Sequence, residues 1–163
     1  IVVSPYRMAR VLSFLDPWQD AQGKGFQLVQ SQIALGSGGL TGLGFGESVQ
    51  KLFFLPAVHT DFIYAVIGEE LGLLGCVVIL GVYLFVFVTG LRLLHYFVTD
   101  EFKYYVGLSV LLVFTIEALI NIAVVTGSMP TKGLPLPFIS YGGSATVANF
   151  IMLGMFFNAT RDG

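Results

Sequence analysis

The sequence predicts an all-α integral membrane protein, a polytopic helical bundle, and three observations carry that prediction. Residues 71–91 contain no charged side chain, and about 20 mostly apolar residues are enough to cross a hydrocarbon core about 30 Å thick. Only 11% of the 163 residues are charged, where a soluble globular domain typically carries about 25%. Long apolar stretches alternate with short connections rich in charge or proline, as expected of helices that turn around at a membrane surface.

Residues 1–60 read as one polar, glycine-rich loop region outside the membrane. Ile1, Val2 and Val3 form only a short apolar stub before Arg7 and Arg10, with no apolar run after them, so this is no signal peptide. The start reads as a cut within a longer protein. Phe26, Leu28, Val29 and Ile33 recur at helical spacing with Gln27, Gln30 and Gln32 between them, which predicts a short amphipathic helix at the membrane surface. The stretch Gly36-Ser37-Gly38-Gly39-Leu40-Thr41-Gly42-Leu43-Gly44-Phe45-Gly46 fits neither the phosphate-loop nor the dinucleotide glycine pattern. It reads as a tightly turning loop.

Three membrane helices are expected next, over 61–91, 104–126 and 141–157. Arg92, His95, Asp100, Glu101 and Lys103 mark the first connection. The second, 127–140, holds Pro130, Pro135 and Pro137, which block helix continuation. Arg92, Lys103 and Arg161 fall on one side, and Lys51 and Lys132 on the other, a slight excess that puts the 92–103 loop in the cytoplasm. Two crossings separate Asp61 from Lys132, so the two share a face in either orientation.

Net charge is −2, and no basic cluster of the nucleic-acid-binding kind occurs. Cys76 is the single cysteine, so it forms no internal disulfide and reads as a small buried hydrophobe. No cysteine and histidine residues stand at metal-ligand spacing.

Charged groups in membrane helices are costly and mark function or buried pairing. Asp61 follows His59 and Thr60 at the mouth of the first helix. With Thr60 as cap, Asp61 sits in the first turn, where it either complements the helix dipole or acts as a carboxylate aimed into an outer cavity. Glu69 lies about 80° around and about 12 Å deeper, able to line the same cavity, whereas Glu70 falls on the opposite face. Both also suit interhelical hydrogen bonds. Glu117 and Asn121 are four apart and share a helical face, as polar glue between helices or as a protonatable site in a transport path. Lys132 is either an interfacial anchor or an anion site.

Three stretches together carry a resemblance. They are Lys51-Leu52-Phe53-Phe54-Leu55-Pro56-Ala57-Val58-His59-Thr60-Asp61 running on to Gly68-Glu69-Glu70-Leu71-Gly72; Asp16-Pro17-Trp18 with Gly25-Phe26-Gln27 and Gln30-Ser31; and Asn121 followed by Gly127-Ser128-Met129-Pro130-Thr131-Lys132-Gly133-Leu134-Pro135-Leu136-Pro137-Phe138-Ile139-Ser140-Tyr141-Gly142-Gly143-Ser144. They resemble the FtsW/RodA/SpoVE family, the SEDS proteins of shape, elongation, division and sporulation, over essentially the whole chain. Pro130-Thr131-Lys132-Gly133 is closer to the FtsW/SpoVE branch. Ala57-Val58 before His59, and Glu117 in place of a frequent Gln, depart from common versions.

The resemblance implies the C-terminal part of a ten-helix protein of the bacterial inner membrane, at the division septum: a large extracytoplasmic loop and the last three helices. It implies a glycosyltransferase that polymerises lipid II into β-1,4 glycan strands, beside a class B penicillin-binding transpeptidase and other division proteins, and no nucleic-acid partner. Asp61 is then the catalytic carboxylate, and Lys132, His59, Glu69, Ser140 and Tyr141 lie on the substrate side. A divalent cation, Mg²⁺ or Mn²⁺, is expected at the leaving diphosphate. A lipid II flippase and a scaffold without chemistry are the rival functions.

Overall fold

A computed structural model describes residues 17–18, 25–48, 60–131 and 133–161. The described residues form four helices in the order α1 (Phe26–Gly38), α2 (Ile63–Phe97), α3 (Glu101–Val125) and α4 (Gly143–Thr160). No strand occurs among them. Two helices, α2 with 35 residues and α3 with 25, are long and apolar enough to cross a membrane. The third expected span, α4, has 18 residues and carries Asn149 and Asn158, which lower its apolarity beneath that of the other two.

The first connection is shorter than the charges suggest. Helix α2 runs past Arg92 and His95 to Phe97, with Val98 in extended backbone. Asp100 then caps α3: its side chain accepts from Phe102 N at 2.8 Å and Lys103 N at 3.4 Å. Charged side chains at a helix end reach water without interrupting the helix. Helix α3 closes in a Schellman motif, with Ser128 N donating to Ala123 O at 2.7 Å and Gly127 N to Val124 O at 3.0 Å. Gly127 takes the left-handed backbone (φ 77) this ending requires.

Helix α1 docks on α2 through part of the expected face, extended by small residues. Leu28, Val29, Ser31, Ala34 and Gly38 are buried, while Ile33 is exposed. Ser31 Oγ, which lies 2.8 Å from Leu28 O of its own helix, also lies 3.1 Å from Val125 O at the end of α3, and so joins α1 to α3.

Helix α2 is broken. Gly72 has φ 68 and ψ −164 inside it, a conformation open only to glycine. A break strips backbone groups of partners, and non-helical backbone at membrane depth survives only where protein re-satisfies it. The glycine-rich loop does so. Leu43 N donates to Glu69 O at 2.9 Å and Gly44 N to Glu70 O at 3.1 Å, while Leu73 N and Leu74 N donate to Gly39 O and Leu40 O at 3.0 and 3.3 Å. The segment beyond the break, 73–97, is about 37 Å long at 1.5 Å per residue and so exceeds one hydrocarbon thickness.

One apolar core lies where α1, α2 and α3 meet: Ala34, Phe62, Tyr64, Ala65, Val66, Cys76, Ala118, Val125 and Leu136. Cys76 is buried there, as its sequence context implies. A second core forms between α2, α3 and α4 around Leu94, Val110, Leu111, Phe114 and Phe156.

Candidate functional site at the mouth of α2

Thr60 and Asp61 precede α2, whose N-cap position is Phe62 without a side-chain cap. Asp61 is therefore not in the first turn, and Thr60 does not cap the helix. Side chains from elsewhere hold the two carbonyls that would otherwise open the helical ladder. Ser140 Oγ donates to Thr60 O, and Asn121 Nδ2 donates to Asp61 O at 2.9 Å.

The proline-rich segment folds over this mouth. Asn121 Nδ2 also donates to Leu134 O at 2.7 Å, and Ser140 Oγ accepts from Leu136 N at 2.7 Å. From α2, Tyr83 reaches Pro137 O at 2.5 Å. Phe138, with φ 62, wedges its ring between Phe114 on α3 and Phe150 on α4, at centroid distances of 5.1 and 5.9 Å. Gly133 comes so near Asp61 that a methyl group on it would sit 3.0 Å from Oδ2. Here glycine keeps the space beside the carboxylate open.

Asp61 is half-buried. That burial pushes its carboxyl above the ordinary range, and a hydrogen bond from Thr60 partly offsets the rise. A carboxylate so placed is more basic than one in water, as proton abstraction requires.

The remaining expected site residues fall into three groups. Ser140 is buried, its hydroxyl committed to two backbone partners. Tyr141 is 79% exposed beside it. Glu69 sits elsewhere, 2% exposed, accepting from Ser48 Oγ at 2.5 Å at the break in α2. His59 and Lys132 lie outside the described residues. Of the pair expected on one face of α3, Asn121 is buried and Glu117 is half-exposed. Sequence reasoning missed the roles of Ser48 and Tyr83, which stand in no motif-like spacing. Two cavities, about 490 Å³ at the α3–α4 end beside Lys103 and about 320 Å³ beside the helix break, are lined by other residues than Asp61.

Comparison with known proteins shows the family of the chain. Residues 1–162 match the family model of FtsW, RodA and SpoVE, described as cell cycle protein. The chain is 48% identical over 158 residues to the "Probable peptidoglycan glycosyltransferase FtsW" of Trichlorobacter lovleyi, covering 97% of this chain and 41% of that one. It is 47% identical over 156 residues to the protein of the same name in Legionella pneumophila, covering 94% and 40%. A solved chain described under "Structural coordination of polymerization and crosslinking by a peptidoglycan synthase complex" superimposes with TM-score 0.75 at 30% identity, covering 98% of this chain and 43% of that one. The chain thus spans about two fifths of the length of the curated relatives it matches. The match along residues 1–162, the helical architecture and the two long apolar helices agree: the chain belongs to the FtsW/RodA/SpoVE family of membrane proteins.

Proposed function

We propose that the full-length protein to which this chain belongs is a peptidoglycan glycosyltransferase, polymerising lipid II into β-1,4 glycan strands with Asp61 as general base. The observation that carries this reading is the placement of Asp61. It is a half-buried carboxylate, its peptide tied to two other segments, at the mouth of a membrane helix beside a glycine turn. The names of the relatives support the substrate class.

In this reading the 4-hydroxyl of the acceptor sugar gives its proton to Asp61 as its oxygen attacks the anomeric carbon of the donor. The bond from that carbon to the polyprenyl diphosphate breaks, and its electron pair leaves on the diphosphate. One in-line displacement inverts the α-linked donor to a β product. A positioned base contributes about 10²–10⁴-fold to such a step. Lys132, one residue before Gly133, is proposed to face the negative charge growing on the leaving group.

The expected Mg²⁺ or Mn²⁺ typically binds through one or two carboxylates plus substrate phosphates. Among the described residues no group of three or more His, Cys, Asp or Glu is placed to hold a metal. A cation carried by the diphosphate of the substrate and one protein carboxylate would supply Lewis-acid stabilisation of the leaving group. A class B penicillin-binding transpeptidase as partner, and a place in the inner membrane at the division septum, complete the proposal.

The test is polymerisation of fluorescent lipid II by the full-length protein with its transpeptidase partner, wild type beside Asp61→Asn. Polymer from the wild type and none from an equally well inserted variant is the expected result. Equal polymerisation by both removes Asp61 from the chemistry. Lipid translocation without polymerisation by the wild type establishes the flippase instead, and Asp61→Asn that fully supports growth points to the scaffold.

A further inference from the structure

Two successive carbonyls, those of Thr60 and Asp61, stand outside the ladder of α2, which opens with Ala65 N donating to Phe62 O at 3.0 Å. Buried backbone carbonyls need donors, and here both donors are side chains far away in sequence. Each donor is also tied into the 133–140 segment: Asn121 Nδ2 to Leu134 O at 2.7 Å, and Ser140 Oγ to Leu136 N at 2.7 Å. The two hydrogens of the Asn121 amide are thus spent on two carbonyls. Flipping the amide would set its oxygen against both, so its neighbours fix its orientation. Asn121 is 2% exposed, and its Oδ1 has no hydrogen-bond partner among the described residues. Leaving a buried acceptor unsatisfied costs stability. One buried amide joining two separate backbone carbonyls fixes the distance between those carbonyls.

We propose that Asn121 is a positioning residue for Asp61. By joining the peptide carbonyl of Asp61 to that of Leu134, it holds the carboxylate against the Gly133 turn, with Ser140 as the second tie one residue earlier. The proposal rests on the reading of Asp61 as the base. It assigns Ser140 to the same positioning work instead of to direct contact with substrate.

The test uses the full-length protein with its transpeptidase partner and fluorescent lipid II. Asn121→Asp keeps the shape of the side chain and removes both donors. The expected result is a kcat per folded molecule lowered by about tenfold to a hundredfold, the range that small misplacements of a catalytic group produce, with KM for lipid II unchanged. Ser140→Ala gives a smaller fall of the same kind and decides the matter if Asn121→Asp does not fold. A kcat per folded molecule equal to wild type, or a loss expressed in KM, overturns the proposal. An inactive Asp61→Asn beside a wild-type-like Asn121→Asp removes this proposal alone. A fully active Asp61→Asn removes the base reading and this proposal with it.

Discussion

The backbone N–H of Leu43 lies 2.9 Å from the carbonyl oxygen of Glu69, so a loop from outside α2 makes the hydrogen bond that α2 gives up at Gly72. Four such bonds, two in each direction, clasp the loop to the break. The clasp needs backbone against backbone. A Cβ on Gly42 would run into the carbonyl of Glu70, and one on Gly72 into Leu40 and Gly42.

Alanine at either position therefore meets two penalties at once. Left-handed backbone alone costs a non-glycine residue about 1–2 kcal/mol, and both glycines have positive φ. The displaced hydrogen bonds add to that. Gly42→Ala and Gly72→Ala are expected to lower the midpoint of thermal unfolding in detergent well below wild type. Gly36→Ala serves as the contrast. That glycine is helical and exposed with nothing within 4 Å of an added Cβ, and alanine there should gain roughly 0.5–1 kcal/mol. Equal midpoints for all three variants would show that the clasp carries no stability.

On the proposed base role of Asp61, Thr60 tunes the pH range of the reaction by moderating the effect of burial. Burial raises the carboxyl and the hydrogen bond from Thr60 lowers it. The sign is fixed by which form reacts. A general base must be ionised, so the rate climbs as pH rises through the raised pKa and levels above it. Thr60→Val keeps the bulk and removes the hydrogen bond that favours the ionised form, so the pKa rises further. The acid limb of kcat should move to higher pH, with the plateau rate retained. A limb that stays in place, or moves to lower pH, contradicts this account of the carboxylate.

What was legible in the sequence followed from local rules. The uncharged run 71–91, and Gly127 followed by Pro130, mark a membrane helix and the end of α3 without tertiary knowledge. Asp61 stood out because a carboxylate at the mouth of an apolar helix needs a reason. What stayed hidden depends on partners distant along the chain. The break at Gly72 is stable only because residues 39–44 fold back on it, and a lone glycine in an apolar run does not announce that. Thr60 reads as a cap until Ser140, eighty residues later, takes its carbonyl out of the helix. On α1 the expected Leu28 and Val29 are buried, but Ile33 is exposed and Ser31 takes a buried place. Ser31 is polar, yet it is buried because Leu28 O of its own helix and Val125 O at the end of α3 both stand as acceptors for its hydroxyl.

The short turn between α2 and α3 rests on one side chain. Asp100 accepts from two of the N–H groups that the start of any helix leaves without partners. Asp100→Ala should cost about 1 kcal/mol, the usual loss for an N-cap, while Asp100→Asn or Asp100→Ser should cost only a few tenths, since both side chains cap well. Hydrogen exchange at Phe102 and Lys103 in the alanine variant should speed up relative to mid-helix amides. No change at those two amides would mean that the turn is held by its neighbours instead.

Glu69 and Asp61 are both acidic, and both were placed on the substrate side from sequence, but they answer to different forces. Glu69 is 2% exposed and its carboxylate holds Ser48 at 2.5 Å, at the end of the loop that clasps α2. Leaving a buried hydrogen-bond partner unsatisfied costs about 1–3 kcal/mol, so Glu69→Ala should destabilise by about that much and release the loop. Limited proteolysis within residues 39–48 should then proceed faster than in wild type. Asp61→Asn should leave the same cleavage rate and the thermal midpoint unchanged or slightly raised, because it removes a carboxylate whose burial disfavours its charge. Polymerisation should show the complementary pattern: Asp61→Asn inactive at full stability, and Glu69→Ala losing rate only in step with its folded fraction. A Glu69→Ala protein as stable and protease-resistant as wild type, yet inactive per folded molecule, would put Glu69 in the chemistry and Asp61 in need of another role.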